Sequence, residues 1–191
     1  MKASLLNTIP VSGSFTEVNF GTSEDNNLVW ILFEDELSEP WIGKFSSGRS
    51  GKSKVECVLD ELFFVIANGQ GYFIDAKLRK VLTKSKDDTL YSFVVVKPNN
   101  QIIATDGLCL IALSKDGTDW STERFSLDGV IFDTVTSDEI LGRYFFLDDN
   151  EKDWPKFKFS IQKRNFELER PIPPELLGST KPKKSWWQFW K

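Results

Sequence analysis

Gly48-Arg49-Ser50-Gly51-Lys52-Ser53 is the stretch that most resembles a chemical motif, because Gly-Lys-Ser ends a phosphate-binding loop. The full motif requires a further glycine five residues before the Gly-Lys-Ser, where this chain has Ser46. It also requires a parallel strand before the loop and a helix after it. The flanking residues read as antiparallel hairpins, so the expectation is a solvated loop. Two acidic clusters, Glu34-Asp35-Glu36 and Asp148-Asp149-Asn150-Glu151, could supply paired carboxylates for glycoside hydrolysis. Nothing in their spacing pairs two acids across one site. The second cluster also lacks the glycine of a calcium loop. No catalytic, cofactor-binding or metal-binding residue is assigned.

The chain contains no histidine. That removes Ser–His–Asp and Cys–His catalysis, histidine metal sites, and the usual proton carrier near neutral pH. Cys57 and Cys109 lie inside apolar runs and read as small buried hydrophobes. Met1–Asn7 has no apolar stretch of signal-peptide length, and no segment approaches the length of a membrane span. A cytoplasmic protein with free thiols is expected.

The formal net charge is −4, a surface poorly suited to nucleic acid. Charge is unevenly spread. From Arg170 onward, Arg170, Lys181, Lys183, Lys184 and Lys191 stand against Glu175, a net of +4, which leaves −8 on the rest. Three of the seven tryptophans, Trp186, Trp187 and Trp190, fall in the last six residues beside Phe189. Exposed rings on a basic tail form an unfavourable apolar patch, so they should bury somewhere. Their destination is this protein's own body, a protein partner, or an anionic membrane surface that a tail this short would bind weakly. In a helical tail Trp186, Phe189 and Trp190 would share a face. The partner-binding candidates are Trp186, Trp187, Phe189, Trp190, Lys183 and Lys184.

The elements that must carry these residues are strands. The hydrophobic and charged fractions, 40% and 27%, are those of an ordinary globular chain long enough to bury a sizeable core. Residues 1–27 read as a polar lead-in with one strand at most. Leu28–Phe33 is a continuous apolar run, followed by an acidic loop and a short strand at Trp41–Phe45. Residues 53–61 fit either a capped helix or a strand, with the β context favouring the strand. Asn68-Gly69 between two apolar runs marks a tight hairpin. Further hairpins turn at Pro98-Asn99-Asn100, at Lys115-Asp116-Gly117 and at Asp128-Gly129. Phe157, Phe159 and Ile161, then Phe166 and Leu168, alternate with polar residues, as in strands with one wet face.

These signals predict an all-β fold, an antiparallel meander of hairpins forming a two-layer sandwich or an incomplete propeller-like stack. A faint echo links Phe63–Leu82 to Phe93–Leu113. Residues 1–170 are expected to form one β domain. Beyond them, Arg170-Pro171-Ile172-Pro173-Pro174 begins a Pro/Lys linker and the Trp-rich tail, 171–191.

Trp120 to Gly129 is the most distinctive stretch of the body. Alternation through Phe125 places Trp120, Thr122 and Arg124 on one face, with an Arg124–Asp128 pair tying the turn at Asp128-Gly129. With Leu141-Gly142 and Trp154–Phe159, this stretch resembles a family of uncharacterised bacterial β-rich proteins. Their pattern is Trp-x-Ser/Thr-x-Arg-hydrophobic-Ser-x-Asp-Gly, and the resemblance spans about residues 93–168. It implies a β fold and a bacterial origin and brings no assigned activity. Trp120, Arg124, Asp128 and Gly129 are therefore read as a structural signature. The function expected is a non-enzymatic protein-interaction module with the tail as docking anchor; the alternative is a carboxylate-dependent hydrolase acting on carbohydrate.

Overall fold

The computed structural model describes residues 1–11, 13–21, 27–35, 38–97, 99–147, 153–173 and 175. Among them, sixteen strands form four sheets of four. The first sheet contains β1 (Lys2–Leu5), β2 (Thr16–Asn19), β3 (Leu28–Asp35) and β4 (Ser38–Ser46) in the order β1-β3-β4-β2. The second runs β5 (Lys54–Leu59), β6 (Leu62–Ala67), β7 (Gln70–Asp75), β8 (Lys80–Lys84). The third runs β9 (Ser92–Val96), β10 (Gln101–Thr105), β11 (Leu110–Ser114), β12 (Gly117–Ser121). The fourth runs β13 (Val130–Val135), β14 (Glu139–Tyr144), β15 (Lys156–Ser160), β16 (Asn165–Leu168). Sheets two to four are antiparallel meanders. In the first, β2 pairs with β4 in parallel.

Local sequence explains the turns. Asn68 and Gly69 both have positive φ, 47° and 113°, as the two central residues of a type I′ hairpin require. Asp60, Arg79, Asn100 and Arg164 take the same left-handed conformation in the β5–β6, β7–β8, β9–β10 and β15–β16 turns. The ambiguous residues 53–61 are strand β5. Strand pairing rewards alternating burial, and Val55 packs towards the first sheet while Val58 packs towards the third.

The sheets pack face to face in chain order, and each interface is a separate core. Ile31, Phe33, Trp41 and Phe45 of the first sheet meet Phe63, Val65, Tyr72 and Ile74 of the second. The opposite face of the second sheet, Phe64, Ile66 and Phe73, meets Phe93, Ile102, Ala104 and Ile111 of the third. Ile103, Leu110 and Ala112 then meet Ile140, Tyr144, Phe157 and Phe159 of the fourth. The leading strands contact one another along the stack, β1 with β5 and β9 with β13. Among the described residues no core joins the first sheet to the fourth. The molecule is an incomplete propeller-like stack, as expected, and not a two-layer sandwich.

This arrangement accounts for the strand sequences. The inner sheets are wet on neither face, so β6, β10 and β11 read as nearly continuous apolar runs. The fourth sheet has one dry face, so β15 and β16 alternate.

Several expectations need correction. The lead-in holds two strands, because β1 and β2 gain their hydrogen bonds from β3 and β4 and not from local hairpins. The faint echo matches non-equivalent strands: Phe63–Leu82 spans β6–β8, the last three strands of the second sheet, and Phe93–Leu113 spans β9–β11, the first three of the third. Strand β12 ends at Ser121, and the chain then folds back so that Phe125 and Ser126 donate backbone N–H groups to Leu108 O. The continuous alternation expected through Phe125 therefore fails. Past Arg170, Ile172 is still buried in the last core, and the Tyr144 hydroxyl donates to the Arg170 carbonyl.

Candidate functional site

The Gly48–Ser53 loop carries the chain from the first sheet to the second, and β5 follows it with no helix. The amides of Gly48, Arg49, Ser50 and Gly51 are already bonded to backbone carbonyls. Gly48 N donates to Ala67 O at 2.9 Å, Arg49 N to Asp88 O at 2.7 Å, and Ser50 N to Asn68 O at 2.9 Å. The Ser50 hydroxyl donates to Leu90 O at 2.7 Å, and Lys52 lies 4.9 Å over the Tyr91 ring. A phosphate loop needs free N–H groups pointing at the anion; here they hold two sheets together. Arg49 meets Asp88 at 2.7 Å, which lowers the Asp88 carboxyl and raises the Arg49 guanidinium from their ordinary ranges.

Asp35, Asp133, Glu139 and Glu169 also have partners. Glu34 and Asp35 end β3, where Ser38 donates to Asp35 at 3.5 Å. Residues 148–151 lie outside the described residues. An open groove of about 670 Å³ crosses the outer face of the fourth sheet, lined in part by Asp133, Leu141, Lys158, Glu167 and Glu169. Arg143 grips both Asp133 oxygens at 2.9–3.2 Å. Lys158 pairs with Glu139 at 2.7 Å, which raises the Lys158 ammonium above its ordinary value. Glu169 accepts the Lys156 amide at 2.8 Å. This is a salted face that closes one end of the stack in water, as the outer surface of a terminal repeat must.

Trp120, Arg124 and Gly129 of the expected signature make packing and hydrogen-bond contacts within the body. Trp120 packs 5.6 Å from Phe159, with Arg164 5.3 Å over its ring. Arg124 does not tie to Asp128. It donates at 3.0 Å to the carbonyls of Ser126 and Leu127, which the fold-back after β12 leaves in front of it. The buried Ser126 hydroxyl donates to Gly129 O at 2.6 Å, and a Cβ at Gly129 would stand 2.6 Å from the Trp154 ring.

Cys57 departs from expectation, whereas Cys109 packs against the core between the second and third sheets. Cys57 is exposed, because it falls at the irregular end of the β5–β6 pairing, and its thiol donates to Asp60 O at 3.3 Å. Cys109 is half-buried beside Asp106; burial first, then the nearby carboxylates, push its thiol up to about 12.

The opposite end of the stack is unlike the salted one. On β3, Val29, Ile31 and Phe33 face the second sheet, so Leu28, Trp30 and Leu32 face outward. Beside them on β4 is Ile42, 0% exposed, which belongs to none of the three intersheet cores. Lys44 lies 5.3 Å over the Trp30 ring and pairs with Glu17 at 3.1 Å. Leu28, Trp30 and Leu32 are half-buried, so this is a largely covered apolar strip beside the Lys44–Glu17 pair. Sequence reasoning did not single it out, although the unbroken apolar run of β3 was its signal.

The tail candidates Trp186, Trp187, Phe189, Trp190, Lys183 and Lys184 lie outside the described residues. Among the described residues no helix is long and apolar enough to cross a membrane, and no group of three potential metal ligands occurs.

The class of protein so defined is an all-β stack of four four-stranded sheets. No family model matches the chain, and no curated protein matches it. Among solved structures it is similar to the N-terminal domain of Nup159, with a TM-score of 0.45 and 15% identity over 85% of this chain. The match covers 46% of that structure's chain, so this protein spans just under half its length.

Proposed function

We infer that the protein is a non-enzymatic interaction module of the bacterial cytoplasm, a β scaffold with a tryptophan-rich C-terminal anchor for a protein partner. One observation carries this reading: the tryptophans divide into two sets. Trp41 stacks on Phe33 at 4.3 Å, Trp120 packs on Phe159, Trp154 packs on Phe145, and Trp30 lies under Lys44. Each therefore has work in the body. Trp186, Trp187 and Trp190 come in sequence after β16 and Ile172, the last strand and the last core residue among the described residues. Tryptophan is the side chain most often found to dominate a protein–protein contact. The adjoining Lys183 and Lys184 would steer the anchor towards an acidic partner surface.

The test compares the full chain with a full-length Trp186→Ala/Trp187→Ala/Trp190→Ala variant as bait in a native bacterial lysate. The reading expects a defined protein retained by the first and lost from the second, with unchanged thermal unfolding. Identical captured sets would overturn it.

A further inference from the structure

We propose that the cavity between the second and third sheets, at the end formed by the β5–β6, β9–β10 and β11–β12 turns, binds an extended peptide of a partner protein. The peptide presents an aliphatic side chain and an arginine two positions apart. The site lies in the body of the chain, so the proposal stands apart from the tail and is tested separately from it.

The cavity measures about 390 Å³, within the size range of ligand sites. Its apolar floor is Leu59, Leu62 and Phe73. Phe73 is buried and Leu62 packs on the core between the two sheets, but Leu59 is 49% exposed. The β5–β6 ladder shifts register between Cys57 and Leu59, which puts Val58 into the core and turns Leu59 out. Two further shifts border the cavity, one beside Phe73 in the β7–β8 ladder and one that leaves Asp119 as the extra residue of β12. Such bulges re-aim side chains and are common beside active sites. The walls are tied on both sides. Lys97, just after β9, donates to the Val58 carbonyl and to Asn100 Oδ1. Thr83 of β8 donates to the Lys115 carbonyl. These ties hold the opening in shape, as in preformed sites.

Charge selects the occupant. The charged lining is Lys115 against Asp116 and Asp119, a net of −1. Lys115 pairs with Asp116 at 3.1 Å. Asp119 is exposed and accepts from neutral groups, Ser114 Oγ at 2.9 Å and Gln101 Nε2 at 3.3 Å. Among the described residues these donors orient the carboxylate and leave its charge unbalanced. A guanidinium answers a carboxylate with two parallel hydrogen bonds. An aliphatic side chain answers Leu59. Residues two apart in an extended chain project to the same side, so one short peptide supplies both groups.

The test is an NMR titration of the isotope-labelled full chain with blocked Leu-Gly-Arg and Arg-Gly-Leu peptides, and with a blocked Leu-Gly-Glu control. At least one arginine peptide should shift the amides of residues 59–62, 99–101 and 114–119 saturably, with a Kd of about 1 mM or tighter. The control should not saturate. Asp119→Asn keeps an acceptor for Ser114 and removes the charge, so it should weaken binding about tenfold. Leu59→Ser should weaken binding similarly, a readout that stands if Asp119→Asn disturbs the fold. Absence of saturable shifts would overturn the proposal, as would equal binding of the control or unchanged affinity in both variants. Hexylamine binding as tightly as the peptides would also overturn it, assigning the cavity to a small alkylammonium. None of these readouts involves the tail, so they are independent of lysate capture.

Discussion

Gly129 and Trp154 occupy complementary space: the indole fills the volume that any side chain at residue 129 would need. Trp154 also packs edge-on against Phe145 at 5.5 Å, so it has little room to yield. Gly129→Ala should therefore overpack this corner and cost about 1–3 kcal/mol, read as a lower midpoint of denaturant unfolding. An unchanged midpoint would show that the ring moves aside.

Gly48 presses backbone against backbone. A Cβ there would meet the Asp88 carbonyl, the Gln70 amide and the Gly69 carbonyl carbon, none of which is a flexible side-chain end. Gly48→Ala should destabilise by about 1–3 kcal/mol or more. Gly51 has φ of +67° but open space around it, so Gly51→Ala should cost only the backbone term, about 1 kcal/mol. Thermal or denaturant melts of the two variants should rank them in that order.

The core between the second and third sheets depends on Phe64, which contacts Phe73 and, edge-on at 4.9 Å, Phe93. Phe64→Ala should cost about 3–5 kcal/mol. Because three cores act in series, hydrogen exchange should rise first in β6, β7, β9 and β10. A uniform rise across all four sheets would instead show that the stack unfolds as one unit.

The two thiols should behave differently. Cys57 is exposed and should alkylate readily at pH 8, while Cys109, with little thiolate at that pH, should react only on unfolding. The folded-state value of Cys109 lies above the unfolded value, so folding favours the protonated thiol. That contribution is complete below about pH 9 and is lost as pH rises towards about 12. Cys109→Ala should flatten the fall in stability across that window, measured by denaturant titrations at pH 8 and pH 10.5.

Legibility in the sequence followed the range of the interaction. The β6–β7 hairpin was readable because Asn68-Gly69 encodes its turn locally, and β15–β16 because alternation reports one wet face. Strands β1 and β2 were not readable. Lys2-Ala3-Ser4-Leu5 and Thr16-Glu17-Val18-Asn19 become strands only by pairing with residues 25 or more positions away. The Arg124–Asp128 pairing failed for a similar reason, since the fold-back onto Leu108 O is a long-range contact. The outer strip of Trp30 and Ile42 was visible as apolar sequence, but which face lacks a neighbouring sheet is a property of the whole stack.

The parallel placement of β2 beside β4 also bears on assembly. During synthesis β1 and β2 emerge ahead of β3 and β4, the strands they pair with. In the other three sheets each new strand finds its neighbour already made, so nascent chain can fold hairpin by hairpin. Strands β1 and β2 must wait, and they keep apolar side chains such as Leu5 and Val18 unsheltered while they do so.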